Sequence, residues 1–319
     1  MGERFIMTCC WNSKSQADSQ EELSSSAQAS ATNPDQDPPS LLPQELPKAP
    51  ITSVNRLRLT KSLSNIADHD VAAKIAFTRS QSTAEWDRPN QTLIFWDWDD
   101  SCFPTTWLRA QYPKLKWHEP MDPSSPYKAT LDECSNNIAR TLTTASQLGK
   151  VYIVTLASSP WVSISIRNFM PELEATIERL GIRIVYARDE LLDSESEKQV
   201  GRLSTALKGR AMHRLANEFY SQYERQSWKN VISFGDSMFE AQALRNIVYD
   251  HRKEETVKKL RAKTLKLAEA PDMAQINAQL SVIDAWMRPI VIYDDDFDID
   301  LDGPIDDVLK WQQTFGIRN

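Results

Sequence analysis

The stretch Leu93-Ile94-Phe95-Trp96-Asp97-Trp98-Asp99-Asp100-Ser101 constrains this chain more than any other. A short apolar run without helical period reads as a buried strand, Thr92–Trp96. The run ends in three carboxylates within four positions. Carboxylates crowded at the end of a buried strand repel one another and lose hydration. Their charge must be offset, most simply by a divalent cation or a placed lysine. Such a strand end suits chemistry on a charged group.

From about residue 90 onward, strand-like runs alternate with helical patterns. After Thr92–Trp96, a helix is expected over Ala129–Leu148, stopped by Gly149. Val151–Val154 reads as a second strand. Trp161–Leu180 reads as helical, broken near Pro171 and closed by Gly181. Ile182–Tyr186 is a third strand, Leu207–Gln226 a helix and Asn230–Phe234 a fourth strand. Phe239–Arg245 begins another helix, Thr264–Leu267 is a fifth strand and Met273–Met287 a final helix. This alternation predicts an α/β fold: a Rossmann-like parallel sheet with helices on both faces, joined by right-handed crossovers. The acidic stretch Asp294–Asp302 reads as part of a solvated tail over 294–319.

Residues 12–60 are rich in Ser, Gln, Ala and Pro, and residues 1–88 are expected to be mostly disordered. Arg56-Leu57-Arg58-Leu59-Thr60-Lys61-Ser62-Leu63-Ser64 and Arg79-Ser80-Gln81-Ser82 carry basic residues before Ser, a pattern that suits kinase regulation of the amino-terminal region. A solvated linker is the favoured reading of both. Met1-Gly2 with Cys9-Cys10 invites a lipidation reading, but Ile6 stands where myristoylation uses Ser or Thr. Four cysteines without paired spacing do not make a disulfide scaffold and fit an intracellular protein, cytoplasmic or nuclear. No apolar run approaches the length of a membrane span, so no transmembrane segment is expected. A net charge of −7 argues against a nucleic-acid partner. The four His are scattered and the Cys lack ligand spacing, so no zinc site is expected.

Two other strand ends carry polar residues: Thr155 after the second, and Gly235-Asp236-Ser237 after the fourth, with Glu240 one helical turn on. Ligands of open parallel sheets sit off the carboxyl ends of the strands, at the switch point. Asp97, Asp99, Thr155 and Asp236 can therefore converge in one crevice. Lys208 lies between the third and fourth strands, with room after it for one helix and one strand; Lys198 is the competing lysine.

Over roughly residues 90–290 the sequence resembles the haloacid dehalogenase (HAD) superfamily, whose motifs appear in order. Asp97-Trp98-Asp99-Asp100-Ser101 matches the first motif, with Ser101 for its Thr. Val151-Tyr152-Ile153-Val154-Thr155 matches the second and Lys208 the third. Gly235-Asp236-Ser237-Met238-Phe239-Glu240 matches the fourth, with Glu240 for its last Asp. The resemblance implies a catalytic domain over 89–293. It also implies a Mg²⁺-dependent phosphomonoester hydrolase working through an aspartyl-phosphate. Asp97 would be the nucleophile and Asp99 the acid and base. Thr155 would hold a phosphoryl oxygen, and Lys208 would set a positive charge against it. Mg²⁺ would be held by the Asp97 carboxylate, the Asp99 backbone carbonyl and Asp236. Glu240 would orient a metal-bound water or Lys208.

Asp100 has no required role in that scheme and reads as a flap residue. Trp96, Trp98, Trp107, Trp117 and Trp161 read first as packing, second as a wall round a substrate entrance. The segment 102–128 is the only candidate for a flap or minimal cap, and Arg188–Ala206 is too short for a separate one. A small cap goes, within the family, with a phosphoprotein substrate; a small phosphorylated molecule is the other choice. Two further readings stand beside hydrolysis: another phosphotransfer reaction such as a phosphomutase, and a non-catalytic phosphate-sensing module.

Overall fold

In the computed structural model, residues 85–224, 226–254 and 259–317 are described. Lipidation at Cys9/Cys10, the amino-terminal kinase sites and disorder up to residue 84 lie outside the described residues. Residues 85–88 form turns, and Trp86 is buried under the guanidinium of Arg261, 4.3 Å from the ring centre.

The elements run in chain order: β1 (Thr92–Trp96), α1 (Thr105–Gln111), α2 (Lys128–Leu148), β2 (Lys150–Thr155), α3 (Trp161–Phe169) and α4 (Glu172–Leu180). They continue with β3 (Arg183–Tyr186), α5 (Val200–Phe219), β4 (Asn230–Gly235) and α6 (Met238–Glu254). The last are β5 (Arg261–Lys266), α7 (Met273–Ile292), β6 (Phe297–Asp300) and α8 (Ile305–Thr314). One six-stranded sheet results, in the order β3-β2-β1-β4-β5-β6, with every neighbouring pair parallel. The protein is α/β, with the sheet covered on both faces.

The period of the strands builds the layers. Ile94 and Trp96 of β1, with Val151 and Ile153 of β2, point into a core shared with α2, α3 and α7. Leu93 and Phe95, with Tyr152 and Val154, point the other way, against α5 and α6. A strand buried on both faces reads as a continuous apolar run rather than an alternating one. Close packing at the strand entrances leaves little slack: a Cβ on Gly149 would lie 2.8 Å from the Thr92 methyl.

Three expectations need correction. First, the acidic stretch 294–302 is not a free tail. Phe297 and Ile299 are 7% and 2% exposed while Asp298 and Asp300 face solvent, so this half-buried strand extends the sheet and α8 packs beyond it. The alternation of Phe297 and Ile299 was hidden by five aspartates in Asp294–Asp300. Second, β5 starts at Arg261, before the expected Thr264. Arg261 and Lys263 look like loop residues, but Lys263 is fully buried and donates to the carbonyls of Ile290 and Val291 at 2.8 Å each. Third, α5 runs Val200–Phe219 rather than Leu207–Gln226, so Lys208 is mid-helix and does not open it. The turn before α5 carries a capping box between Ser196 and Gln199, the stronger start signal.

The chain runs from β1 out to β3 on one side, then crosses to β4 and on to β6 on the other. The switch point lies beside β1. Among the described residues no helix is long and apolar enough to cross a membrane.

Candidate active site

The carboxyl ends of β1, β2 and β4 are neighbours, and each carries one of the expected polar groups. Asp97 leaves β1 still attached to the sheet, its N–H donating to the Phe234 carbonyl at 2.9 Å. Its carboxylate is buried, 7% exposed, and meets the Lys208 ammonium at 2.7 Å. Lys208 reaches it from the middle of α5 and is 1% exposed. The same ammonium is paired with Glu240, in the first turn of α6. Glu240 also accepts from the Ser237 N–H at 3.2 Å and the Ser237 hydroxyl at 2.6 Å. Gly235 makes room for this: a Cβ there would lie 2.4 Å from Glu240 Cγ.

Asp236 is tied to the first motif by Ser101. The Ser101 Oγ accepts from the Asp236 N–H at 2.9 Å and donates to Asp236 Oδ1 at 3.3 Å. The shorter Ser101 thus keeps a hydroxyl where the resemblance expects that of Thr. Asp99 is held by three side chains: Thr105 Oγ1 donates to Oδ1 at 2.5 Å, Trp161 Nε1 donates to Oδ1 at 2.7 Å, and Thr155 Oγ1 donates to Oδ2 at 3.3 Å. Thr155 in turn accepts from the Ala157 N–H at 2.9 Å. Asp100 takes a left-handed backbone, φ 57°, a conformation Asp tolerates better than most residues. Its carboxylate accepts from Thr106 N–H at 2.8 Å and Thr106 Oγ1 at 2.5 Å, pinning the start of α1.

The electrostatics follow from burial. Burial pushes the Asp97 carboxyl up, to about 7, with Lys208 pulling it down and Glu240 pushing it further up. Asp236 is raised well above the carboxylate range, by burial first and then by Asp97, Glu240 and Asp100. Asp99 is raised by burial against its three hydrogen bonds, and Asp100 by burial to about 6. Burial works against the Lys208 charge, but Asp97 and Glu240 outweigh it and hold the ammonium above the ordinary lysine value. Five carboxylates thus gather around one lysine, and Lys208 is spent on two of them.

That excess of negative charge is what a divalent cation would offset. The donors are oxygens, the class Mg²⁺ takes. Among the described residues no group of three or more His, Cys, Asp or Glu side chains makes a ready metal cage. A cation here would rest on two side chains, Asp97 and Asp236, with a backbone carbonyl and water completing its shell. The donor set fits a hard, water-rich ion and not zinc.

The structure brings Asp97, Asp99, Thr155, Lys208, Asp236 and Glu240 to the carboxyl ends of β1, β2 and β4, and it leaves Lys198 on an exposed turn away from them. Thr105 escaped the sequence reading, and Ser237 was read only as part of the fourth motif, with no role. A hydroxyl just after Pro104 at a helix start was the one signal for Thr105. Trp96 and Trp98 lie in the core, 1% and 0% exposed, while the Trp161 indole bonds a site carboxylate. Compared with family models, curated proteins and solved structures, the chain matches none.

Proposed function

We propose that the chain is a Mg²⁺-dependent phosphomonoester hydrolase of the HAD type that works through an aspartyl-phosphate. One observation carries the reading: a buried carboxylate at the end of the central strand, Asp97, lies 2.7 Å from a buried ammonium, Lys208, that a second buried carboxylate holds in place. A nucleophile facing an anionic phosphoryl group needs such a fixed positive charge beside it.

The residues divide the work. The Asp97 carboxylate attacks phosphorus and the ester P–O bond breaks. The leaving oxygen takes a proton from Asp99. A water then attacks the aspartyl-phosphate, returning a proton to Asp99 and releasing inorganic phosphate and free Asp97. Lys208 sets its charge against the transferring group, and Glu240 holds Lys208 there. Thr155 offers its hydroxyl to a phosphoryl oxygen. A divalent cation on Asp97 and Asp236 would supply the remaining neutralisation of phosphoryl charge.

The segment 102–128 contributes only the seven-residue helix α1 and a loop anchored by Asn168 on the Trp117 carbonyl, at 2.9 Å. So small a flap suits a phosphate carried on a protein. Cys102 and Cys134 are buried free thiols, in keeping with a reducing compartment such as cytoplasm or nucleus.

Hydrolysis of a panel of phosphopeptides and small phosphomonoesters, with and without Mg²⁺, tests the reading. The expected result is Mg²⁺-dependent release of phosphate that falls by ~10³-fold or more in Asp97→Asn. Activity that survives Asp97→Asn would overturn the mechanism. A wild type that binds Mg²⁺ but hydrolyses nothing would favour the phosphate-sensing module.

A further inference from the structure

The three bonds to Asp99 are not equivalent. Both donors on Oδ1, Thr105 and Trp161, come from outside the four motifs; among the described residues Oδ2 accepts from the Thr155 hydroxyl alone. An indole N–H can only donate. The Thr105 hydroxyl has one proton to give, and Asp99 Oδ1 at 2.5 Å is a nearer acceptor for it than the Phe103 carbonyl at 3.4 Å, so Oδ1 takes a donor from each of Thr105 and Trp161. A proton on Asp99 is therefore left with Oδ2. Oδ2 is the oxygen beside Thr155, at the strand ends where the phosphoryl group is proposed to sit.

Trp161 is itself immobilised. It is the first residue of α3 and is 7% exposed. Its ring packs edge-on against Phe103, 5.9 Å between centres, and against Trp117, 5.3 Å. Phe103 follows the first motif and Trp117 lies in the flap segment, so the indole is clamped from both sides. A buried indole N–H needs an acceptor, and that of Trp161 is a carboxylate at the strand ends. Trp98, by contrast, spends its N–H on Ser165 at 2.9 Å, away from the carboxylates.

We propose that Trp161 is a positioning residue: its indole N–H, with Thr105, confines the transferable proton of Asp99 to Oδ2 and aims it at the leaving oxygen. This rests on the hydrolase reading above and names a device that the four motifs do not contain. The consequence is selective. In the first step the ester P–O bond breaks, and an alkoxide leaving group needs the Oδ2 proton as it departs. A nitrophenolate is stable without one. Loss of aim therefore harms alkyl phosphates, phosphoserine and phosphothreonine among them, and spares activated aryl phosphates.

The test compares kcat on an alkyl phosphate and on p-nitrophenyl phosphate, in the full chain with Mg²⁺. Two proteins are set against the wild type. One is Trp161→Phe. The other carries benzothienylalanine at position 161, which keeps the shape of the indole and replaces its N–H by sulfur. We expect the alkyl ester to lose ~10–100-fold in kcat, within the range of one acid–base contribution, and the aryl ester to lose less than ~3-fold. The benzothienyl protein keeps the ring contacts, so its selective loss separates proton aim from folding. Equal losses on both substrates, or none on either, would overturn the role of Trp161 and leave the hydrolase reading standing. A wild type inactive on both would overturn the hydrolase reading and this inference with it.

Discussion

Two acidic stretches of this chain have nearly the same composition and opposite fates. Asp97, Asp99 and Asp100 sit at the end of the central strand; Asp294–Asp300 forms and precedes the edge strand β6. At the edge, four of the five aspartates are paired off. Asp294 meets Arg261 at 2.5 Å and Lys259 at 3.3 Å, Asp296 meets Arg252 at 2.8 Å, Asp298 meets Arg245, and Asp300 meets Lys266 at 3.7 Å. At the strand end, five carboxylates gather and Lys208 pairs with two of them, Asp97 and Glu240. Burial opposes the charge of Asp294, yet the hydrogen bonds of Arg261 and Lys259 hold its carboxyl below the usual range, whereas burial lifts Asp97 and Asp236 above it. A count of acids does not mark a site. Buried charge without enough local compensation does, because only an outside partner can complete it.

The contrast is sharpest at Lys208. Lys208→Met would leave Asp97 and Glu240 buried and unpaired, and urea unfolding should show a loss of about 3–5 kcal/mol. A loss below ~1 kcal/mol would mean the pair is better solvated than its burial implies, and the two regions would then differ little. Mg²⁺ comes next. If the strand-end carboxylates bind it, saturation at about 100 times Kd should stabilise the fold by about 2.7 kcal/mol, read as a rise in Tm. Asp236→Asn should abolish that rise, while Asp298→Asn should leave it intact. A rise that survives Asp236→Asn would move the cation elsewhere.

The pH dependence has opposite signs in the two regions. A carboxyl whose folded pKa is raised contributes its stability below the unfolded value and loses it as pH climbs through the folded one. For Asp97 that window runs from the ordinary carboxylate range to about 7. Without metal, unfolding free energy should therefore fall across it, by no more than about 1.4 kcal/mol per pH unit for this one group. Mg²⁺ should remove the fall. Asp294, with its pKa lowered, works the other way: its contribution is present above the ordinary carboxylate range and lost as pH drops. Stability in chelator that rises steadily from about pH 4 to 7 would break the contrast. The smallest effect belongs to the edge: Arg245→Ala should cost about 0–1 kcal/mol, less in high salt, since the Arg245 side chain is about a third and the Asp298 side chain about half exposed.

Much of the site was legible because strand ends announce themselves. A buried run has to stop where charge begins, so Asp97, Thr155 and Asp236 could each be placed at a carboxyl end before any fold was seen. Glu240 was legible by its spacing, one turn after Asp236. Lys208 was found, but as the opening of a helix, because the polar residues before it disguised the first two turns of α5. The acidic block hid β6 for a related reason: two apolar residues among five aspartates are a weak period to read. Thr105 and the indole bond of Trp161 left no trace, since nothing in Pro104-Thr105 or Pro160-Trp161 says that the two side chains meet on one oxygen.

The sequence by itself determined the alternation of strands and helices, and with it the parallel sheet, because apolar runs and helical periods are local properties of the chain. It also determined which residues stand at the strand ends. Only the tertiary structure decided how those ends share charge. The pairing of Lys208 with both Asp97 and Glu240, the hold of Ser101 on Asp236 and the two donors on Asp99 Oδ1 all join residues from different elements. Burial and distance set those energies, and neither is written along the chain.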